Sequence, residues 1–225
     1  MYFSKFKFPI YVIFILLSII VGMVYIYISL KKERKFRKII YLYFILSGYM
    51  ALVFGILLSF ILNQKELSIT NIGLTSYGGA LGVFLASLIF EKIIPLDNKL
   101  IKYSILSLPL TYGIAKIGCF FAGCCYGIPY NGIFGVTYID ELNISVFPVQ
   151  LLESLVFIIL FIVFNKYKNK DNIIYISLIG MAIFKFLLDF FRYEHYLKGI
   201  TINQILSITI LIITFAHFIY KKTVS

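Results

Sequence analysis

Charged side chains are scarce in this chain. Asp, Glu, Lys and Arg make up 14% of its 225 residues, 61% are hydrophobic, and the mean hydropathy is +0.95. Ordinary soluble domains are nearer half apolar and a quarter charged, so a soluble globular protein is excluded. Strict apolar–polar alternation is missing, which argues against a membrane β-barrel. No small-x-small cleavage site precedes Lys31, so the first apolar run, despite the basic Lys5 and Lys7, reads as a retained span rather than a signal peptide. Tandem repeats and low-complexity tracts are also lacking, and the longest polar stretch is only 119–146. No separate soluble domain is left over, and 1–225 reads as one membrane-embedded domain.

What is present is a series of long apolar runs at 8–30, 39–62, 72–90, 100–117, 147–164, 173–191 and 200–220. A hydrocarbon core of about 30 Å takes roughly 20 residues of helix, so the expected fold is all-α, a polytopic membrane protein with about seven transmembrane helices. Acidic residues number 10 against 21 Lys and Arg, a formal net charge of +11. In a soluble protein that excess would point to nucleic acid; here it is a topology signal, and no nucleic-acid partner is expected. One set of alternate loops holds the cluster from Lys31 to Lys38, then Lys92, Lys99, Lys102, Lys166, Lys168, Lys170, Lys221 and Lys222. The other side holds Lys5, Lys7, Lys65, Arg192 and Lys198. The asymmetry predicts an N-terminus outside, a C-terminus in the cytoplasm, and an outward-facing 119–146 segment, which contains no Lys or Arg.

Four ionisable residues fall within or at the edge of apolar runs: Lys116, Glu153, Lys185 and Asp189. Such groups cost several kcal/mol in lipid unless paired or facing a wet cavity, and so mark candidate functional positions. Lys185, Asp189 and Arg192 stand at i, i+4 and i+7, a spacing that predicts one charged helical face. Gln150 and Glu153 share a face after Pro148. Lys185–Asp189 could be only a local ion pair holding helices together. Taken with Lys116, however, three spans offer charge at similar depth near their outward ends. Cations to hold a phosphate, carboxylates to orient them and apolar walls for acyl chains would suit a charged lipid head group.

The run Gly118-Cys119-Phe120-Phe121-Ala122-Gly123-Cys124-Cys125-Tyr126-Gly127 holds all three cysteines. Its glycines permit positive φ, and its amides could meet an anion. Metal binding has weak support, since no second Cys or His pair stands nearby at zinc spacing, and no metal or other cofactor is expected. A disulfide from Cys119 to Cys124 or Cys125 and plain packing of small residues in a tight turn are the other readings. Gly73-Leu74-Thr75-Ser76-Tyr77-Gly78-Gly79-Ala80-Leu81-Gly82 opens the third span, and reads either as close helix packing or as a means of placing the Tyr77 phenol in a cavity.

In these stretches the chain resembles the prolipoprotein diacylglyceryl transferases, seven-span enzymes of the bacterial cytoplasmic membrane. The likeness runs from about Ile72 to the C-terminus. The Gly73 to Gly82 run is similar to the family's Gly-x-Ser-(His)-Gly-Gly-x-x-Gly entry to a span, and Lys116 to Gly127 to its signature loop. Phe147-Pro148-Val149-Gln150-Leu151-Leu152-Glu153 resembles its His-Pro-x-Gln-Leu-Tyr-Glu motif. Gly180 to Arg192, followed by Gln204-Ile205-Leu206-Ser207, resembles its closing Arg-x-x-x-Glu-x-x-Arg helix and Gly-Gln-x-x-Ser segment.

The resemblance implies transfer of a diacylglyceryl group from phosphatidylglycerol to the thiol of a lipobox cysteine in a secreted precursor, with glycerol phosphate leaving. It assigns Tyr77, Lys116, Glu153, Lys185 and Asp189 to catalysis. Gly78, Gly79, Cys119, Gly123, Tyr126, Gly127, Gln150, Arg192 and Gln204 fall to substrate binding. Lys116 and Lys185 occupy family arginine places, Tyr77 and Phe147 histidine places, and Cys119 a place often held by asparagine. Lysine acts on phosphate as a point charge rather than a planar fork, and tyrosine titrates far above histidine. These joint departures point to a divergent branch: a transferase, or an altered phospholipid-binding or transport protein on the same scaffold. A small-molecule transporter is weaker, because no repeated halves or paired broken helices appear. Combining Lys116→Arg, Lys185→Arg and Tyr77→His is expected to raise transfer from phosphatidylglycerol to a lipobox peptide above that of the native chain. Unchanged transfer would argue against divergence through these positions.

Overall fold

The computed structural model describes residues 2–3, 9–63, 75–138 and 144–224. Its helices are α1 (Pro9–Leu30), α2 (Arg34–Asn63), α3 (Ser76–Ile93), α4 (Lys99–Ala122), α5 (Val149–Lys166), α6 (Ile173–Asp189), α7 (Tyr193–Lys198) and α8 (Ile202–Val224). Three short strands, β1 (Tyr2–Phe3), β2 (Val136–Tyr138) and β3 (Ser145–Val146), accompany them. Helix accounts for 78% of the structure, and the chain is a multi-pass membrane protein. Among the described residues, six helices are long and apolar enough to span a bilayer. The remaining predicted span, 173–191, contains α6, a helix of 17 residues that carries Lys185 and Asp189. Of the positions considered above, Lys5, Lys7, Lys65, Gly73 and Leu74 lie outside the described residues.

The chain divides into two compact units. One comprises Met1–Val21 and Pro109–Ser225, the other Gly22–Leu108. The boundary in α4 falls at Pro109, a residue without an N–H to donate to the helical ladder.

In the unit Gly22–Leu108, α2 and α3 pack along each other at the glycines of the third span. A Cβ at Gly78 would collide with the Phe54 carbonyl and one at Gly82 with that of Met50. These two glycines, four residues apart on one helical face, let the backbones approach as small residues do between membrane helices. Thr75 caps α3, its hydroxyl accepting from Gly78 N at 3.3 Å. The core holds Leu30, Phe36, Tyr43, Phe90 and Leu100. The buried Tyr43 hydroxyl lies 2.6 Å from Ser104 Oγ and 3.1 Å from Ser87 Oγ, so the phenol stays hydrogen-bonded.

In the other unit, α6 packs against α5 and α8. α4 and α5 come close at Gly113, where a Cβ would stand 2.9 Å from Ile158 Cγ1 and 3.1 Å from the Ser154 carbonyl. The polar stretch after α4 is not simple loop: β2 pairs in parallel with β1 and antiparallel with β3. Strands this short leave almost no periodic trace in sequence, which is why they were not expected.

Gly78→Ala or Gly82→Ala should lower the thermal midpoint of the detergent-purified protein, at an overpacking cost of about 1–3 kcal/mol. Gly48, around which a Cβ would meet nothing within 4 Å, supplies the control substitution. Equal midpoints for all three variants would disprove the close packing.

Candidate active site

The site is built around one carboxylate. Glu153 sits one turn into α5, fully buried, and each of its oxygens meets cations from other elements. Lys116 Nζ lies 2.8 Å from Oε2, and Lys185 Nζ 2.7 Å from Oε1. Arg192 Nη2 donates to both oxygens at 3.0 Å. The Tyr112 hydroxyl donates to Oε1 at 3.1 Å. Two of these groups come from α4, one from α6 and one from the α6–α7 junction, so this side chain ties three segments together.

Asp189, at the last position of α6, forms a second centre. Its Oδ2 accepts from the Thr201 hydroxyl, and Oδ1 lies 3.5 Å from Asn203 Nδ2. Arg192 Nε is 3.3 Å from Oδ1. The predicted Lys185–Asp189 pair is there but long, at 3.9 Å; Lys185 is committed to Glu153 instead. Three cations face two carboxylates in this cluster, leaving one positive charge over.

Arg192 does not continue the helical face of Lys185 and Asp189, as its i+7 spacing predicted. α6 ends at Asp189, the chain turns through Phe190 and Phe191, and Arg192 takes extended angles (φ −85°, ψ 144°) as the residue before α7. Backbone pairing fixes that departure: Ile128 N donates to Phe191 O at 3.0 Å and Tyr193 N to Tyr126 O at 3.2 Å. The guanidinium thus reaches Glu153 from a strand-like segment rather than from α6.

The glycine–cysteine run closes α4 with a paired C-cap. Gly123 N donates to Phe120 O at 3.2 Å, and Cys124 N to Cys119 O at 3.2 Å, the two reversed bonds of a Schellman motif. Gly123 takes φ +67°, and a Cβ there would also stand 3.1 Å from the Tyr138 ring. Cys125 repeats the left-handed angle at φ 58° without being glycine. Gly127 N donates to Phe147 O at 2.9 Å. The amides of Gly123, Cys124 and Gly127 are therefore spent on backbone carbonyls, contrary to the expectation that they stand open to an anion. All three cysteines are free thiols. The Cys125 thiol is held well below its ordinary pKa, first by hydrogen bonds from Cys119 and Cys124 and then by the charges of Lys116 and Arg192.

Gln150 Nε2 donates to Cys124 O at 2.7 Å, fastening the run to α5, while Oε1 is buried without a hydrogen-bond partner. Gln204 and Thr201 form a reciprocal capping box for α8. Gln204 N donates to Thr201 Oγ1 at 3.2 Å, and Thr201 N to Gln204 Oε1 at 3.0 Å. Gln204 Nε2 is likewise buried and unpartnered. The Tyr126 ring packs on Tyr138 and Tyr193. Tyr77, Gly78 and Gly79 belong to the Gly22–Leu108 unit, on α3.

Sequence reasoning missed Tyr112, Thr201 and Asn203. Tyr112 lies four residues before Lys116 on α4, and its ring carries Lys116 Nζ at 5.1 Å and Lys185 Nζ at 5.3 Å from its centroid. The i, i+4 relation to Lys116 was the available signal. Thr201 and Gln204 spell the capping-box spacing just before an apolar run.

Helical spans enclosing a buried, nearly neutralised ionic centre define a multi-pass membrane protein with a polar site at one end of its helices. The prolipoprotein diacylglyceryl transferase model matches residues 1–220, and the chain belongs to that family. It is 30% identical over 148 residues to phosphatidylglycerol–prolipoprotein diacylglyceryl transferase 2 of Clostridium perfringens, covering 60% of this chain and 56% of that protein. Similarity to the phosphatidylglycerol–prolipoprotein diacylglyceryl transferase of Campylobacter hominis is 30% over 159 residues, 65% of this chain and 56% of the relative. For the Clostridium tetani protein of that name it is 29% over 116 residues, 49% and 47% respectively. The chain thus spans about half the length of the curated relatives it matches.

Glu153→Gln should lower stability by about 3–5 kcal/mol, because three buried cations lose their common counter-charge. Tyr112→Phe removes one hydrogen bond to a charged group and should cost less, about 1.5–3 kcal/mol. Thermal unfolding in detergent checks both; a Glu153→Gln protein as stable as the native one would show that the cations do not depend on that carboxylate.

Proposed function

We propose that this protein transfers the diacylglyceryl group of phosphatidylglycerol to the thiol of a lipobox cysteine in a secreted lipoprotein precursor. The observation that carries the reading is the Glu153 centre: Lys116, Lys185 and Arg192 gathered on one buried carboxylate, with one positive charge left after Asp189 is counted. A phosphodiester carries one negative charge and complements that excess. As the thiolate sulfur attacks the glycerol carbon bearing the phosphate, a C–S bond forms and the C–O bond breaks. The electron pair leaves with glycerol phosphate, whose charge rises. Cations already fixed in place stabilise that developing charge without reorganising, which is how preorganised sites lower barriers. The thiol gives up its proton before or during attack, and the departing glycerol phosphate or water takes it up.

In this reading Lys116 and Lys185 are the phosphate ligands. Glu153 and Asp189 orient them, and Arg192, Gln150 and Gln204 position the head group. Cys119, Gly123, Tyr126 and Gly127 form the wall beside it; the roles of Tyr77, Gly78 and Gly79 rest on the resemblance alone, and they are given no place in this cluster. No cofactor enters the scheme. Residues 1–225 act as one functional domain in the bacterial cytoplasmic membrane, N-terminus outside and C-terminus in the cytoplasm. Lysine placement in the loops supports that orientation. The reaction then takes place at the outer face, where secreted precursors emerge.

Purified protein incubated with labelled phosphatidylglycerol and a lipobox peptide should yield a peptide carrying thioether-linked diacylglycerol. Lys116→Ala and Lys185→Ala should each reduce turnover by about 10²–10³-fold, the usual loss for one preorganised charge-stabilising donor. Folded protein that binds phosphatidylglycerol but transfers to no thiol would replace this reading with a lipid-binding one. Near-normal turnover in either lysine variant would make that lysine structural.

A further inference from the structure

In the chemistry proposed above Cys119 is only part of a wall and Cys124 and Cys125 have no role, yet the fold gathers all three. Their sulfur atoms all lie within 4.8 Å of one another. Two separate devices bring this about. The Schellman turn folds Cys124 back over Cys119, one turn inside α4, with Cys124 Sγ 3.7 Å from the Cys119 carbonyl. Cys125 then adopts a left-handed backbone at φ 58°. For a residue other than glycine that conformation costs about 1–2 kcal/mol, and such strain persists where surrounding structure enforces it. The enforcement is visible: Gln150 holds the Cys124 carbonyl at 2.7 Å and the Tyr138 hydroxyl holds the Phe120 carbonyl at 3.1 Å.

We infer that Cys119, Cys124 and Cys125 form a three-coordinate site for one thiophilic cation of the cuprous class. A cation about 2.3 Å from each of three thiolates sets the sulfurs about 4 Å apart, within the observed spread. Soft thiolate donors select soft d10 ions of this kind, and among the described residues the group contains no His, Asp or Glu that would make a fourth ligand. A closed structural zinc site needs four. Cys119 is buried while Cys125 is exposed, so the site has a closed floor and an open entry. On binding, three S–H bonds are exchanged for three sulfur–metal bonds, three protons go to solvent, and no atom changes oxidation state. The resulting charge of −2 is offset in part by the one positive charge that the neighbouring ionic cluster leaves over, Lys116 and Arg192 both acting electrostatically on Cys125. The site shares no ligand atom with the Glu153 centre, and its existence does not require the transferase reading.

The test uses the full chain in detergent, reduced with a phosphine and freed of excess reductant under argon. Cuprous ion is supplied as its acetonitrile complex against a chromogenic chelator. The expected result is one cation per chain, with all three thiols protected from alkylation in the intact mass. Cys119→Ser, Cys124→Ser and Cys125→Ser should each weaken binding by more than about 100-fold, beyond the usual cost of an outer-shell change. Should the buried Cys119→Ser variant fail to fold, the exposed Cys125→Ser variant decides alone. Uptake below half an equivalent, protection of fewer than three thiols, or native affinity in Cys125→Ser would overturn the inference. So would a reduced protein that takes up no cation and reverts in air to a disulfide.

Discussion

The interaction on which this site depends is the buried carboxylate of Glu153 accepting from three cations and a phenol at once. Ions stripped of water are expensive, and a pair repays that expense only when geometry is good and remaining valences are filled. Here both oxygens are used, by Lys116 on one and Lys185 on the other, with Arg192 bridging them. The positions of α4, α5, α6 and the α6–α7 junction are consequently interdependent. Such a centre adds little to net stability compared with an apolar core, and its one-charge imbalance is what a phosphodiester would match in the proposed function.

Much of the architecture could be read directly from the residues, because lipid imposes long apolar runs and makes every intramembrane charge conspicuous. Lys116, Glu153, Lys185 and Asp189 were each identifiable for that reason and Arg192 by its spacing from Lys185 and Asp189, and the structure brings all five together. What could not be read was which charge pairs with which. Helical spacing favoured Lys185 with Asp189, but the shorter contact runs across helices to Glu153. Spacing also extended α6 to Arg192, whereas non-local backbone pairing with Ile128 and Tyr126 stops the helix and redirects the side chain. Tyr112 was hidden by composition: in a chain with 18% aromatic residues, one more tyrosine in an apolar run draws no notice. The glycines of the signature loop were found, though the Gly123 amide closes a backbone turn and the Gly127 amide pairs with the distant Phe147 carbonyl.

Substituting lysine for arginine has a structural reading of its own. Both ammonium groups sit over the Tyr112 ring while reaching Glu153. A compact ammonium can combine a ring face with a carboxylate contact, whereas a planar guanidinium would favour a two-pronged pairing or stacking parallel to the ring. Tyr112 and the two lysines therefore form a compatible set around one shared aromatic surface.

Tyr112, Lys116 and Cys119 ride on one helix at intervals of four and three residues; the first two engage Glu153 and the third joins the other two thiols. Because successive residues of a helix turn by about 100°, adding or removing a single residue between Lys116 and Cys119 would swing the sulfur away from the lysine's side of the helix altogether. No side-chain adjustment can undo such a phase error. The last turns of α4 are thus intolerant of length change even where they tolerate changes of residue, and variation in chain length in this lineage must be absorbed elsewhere.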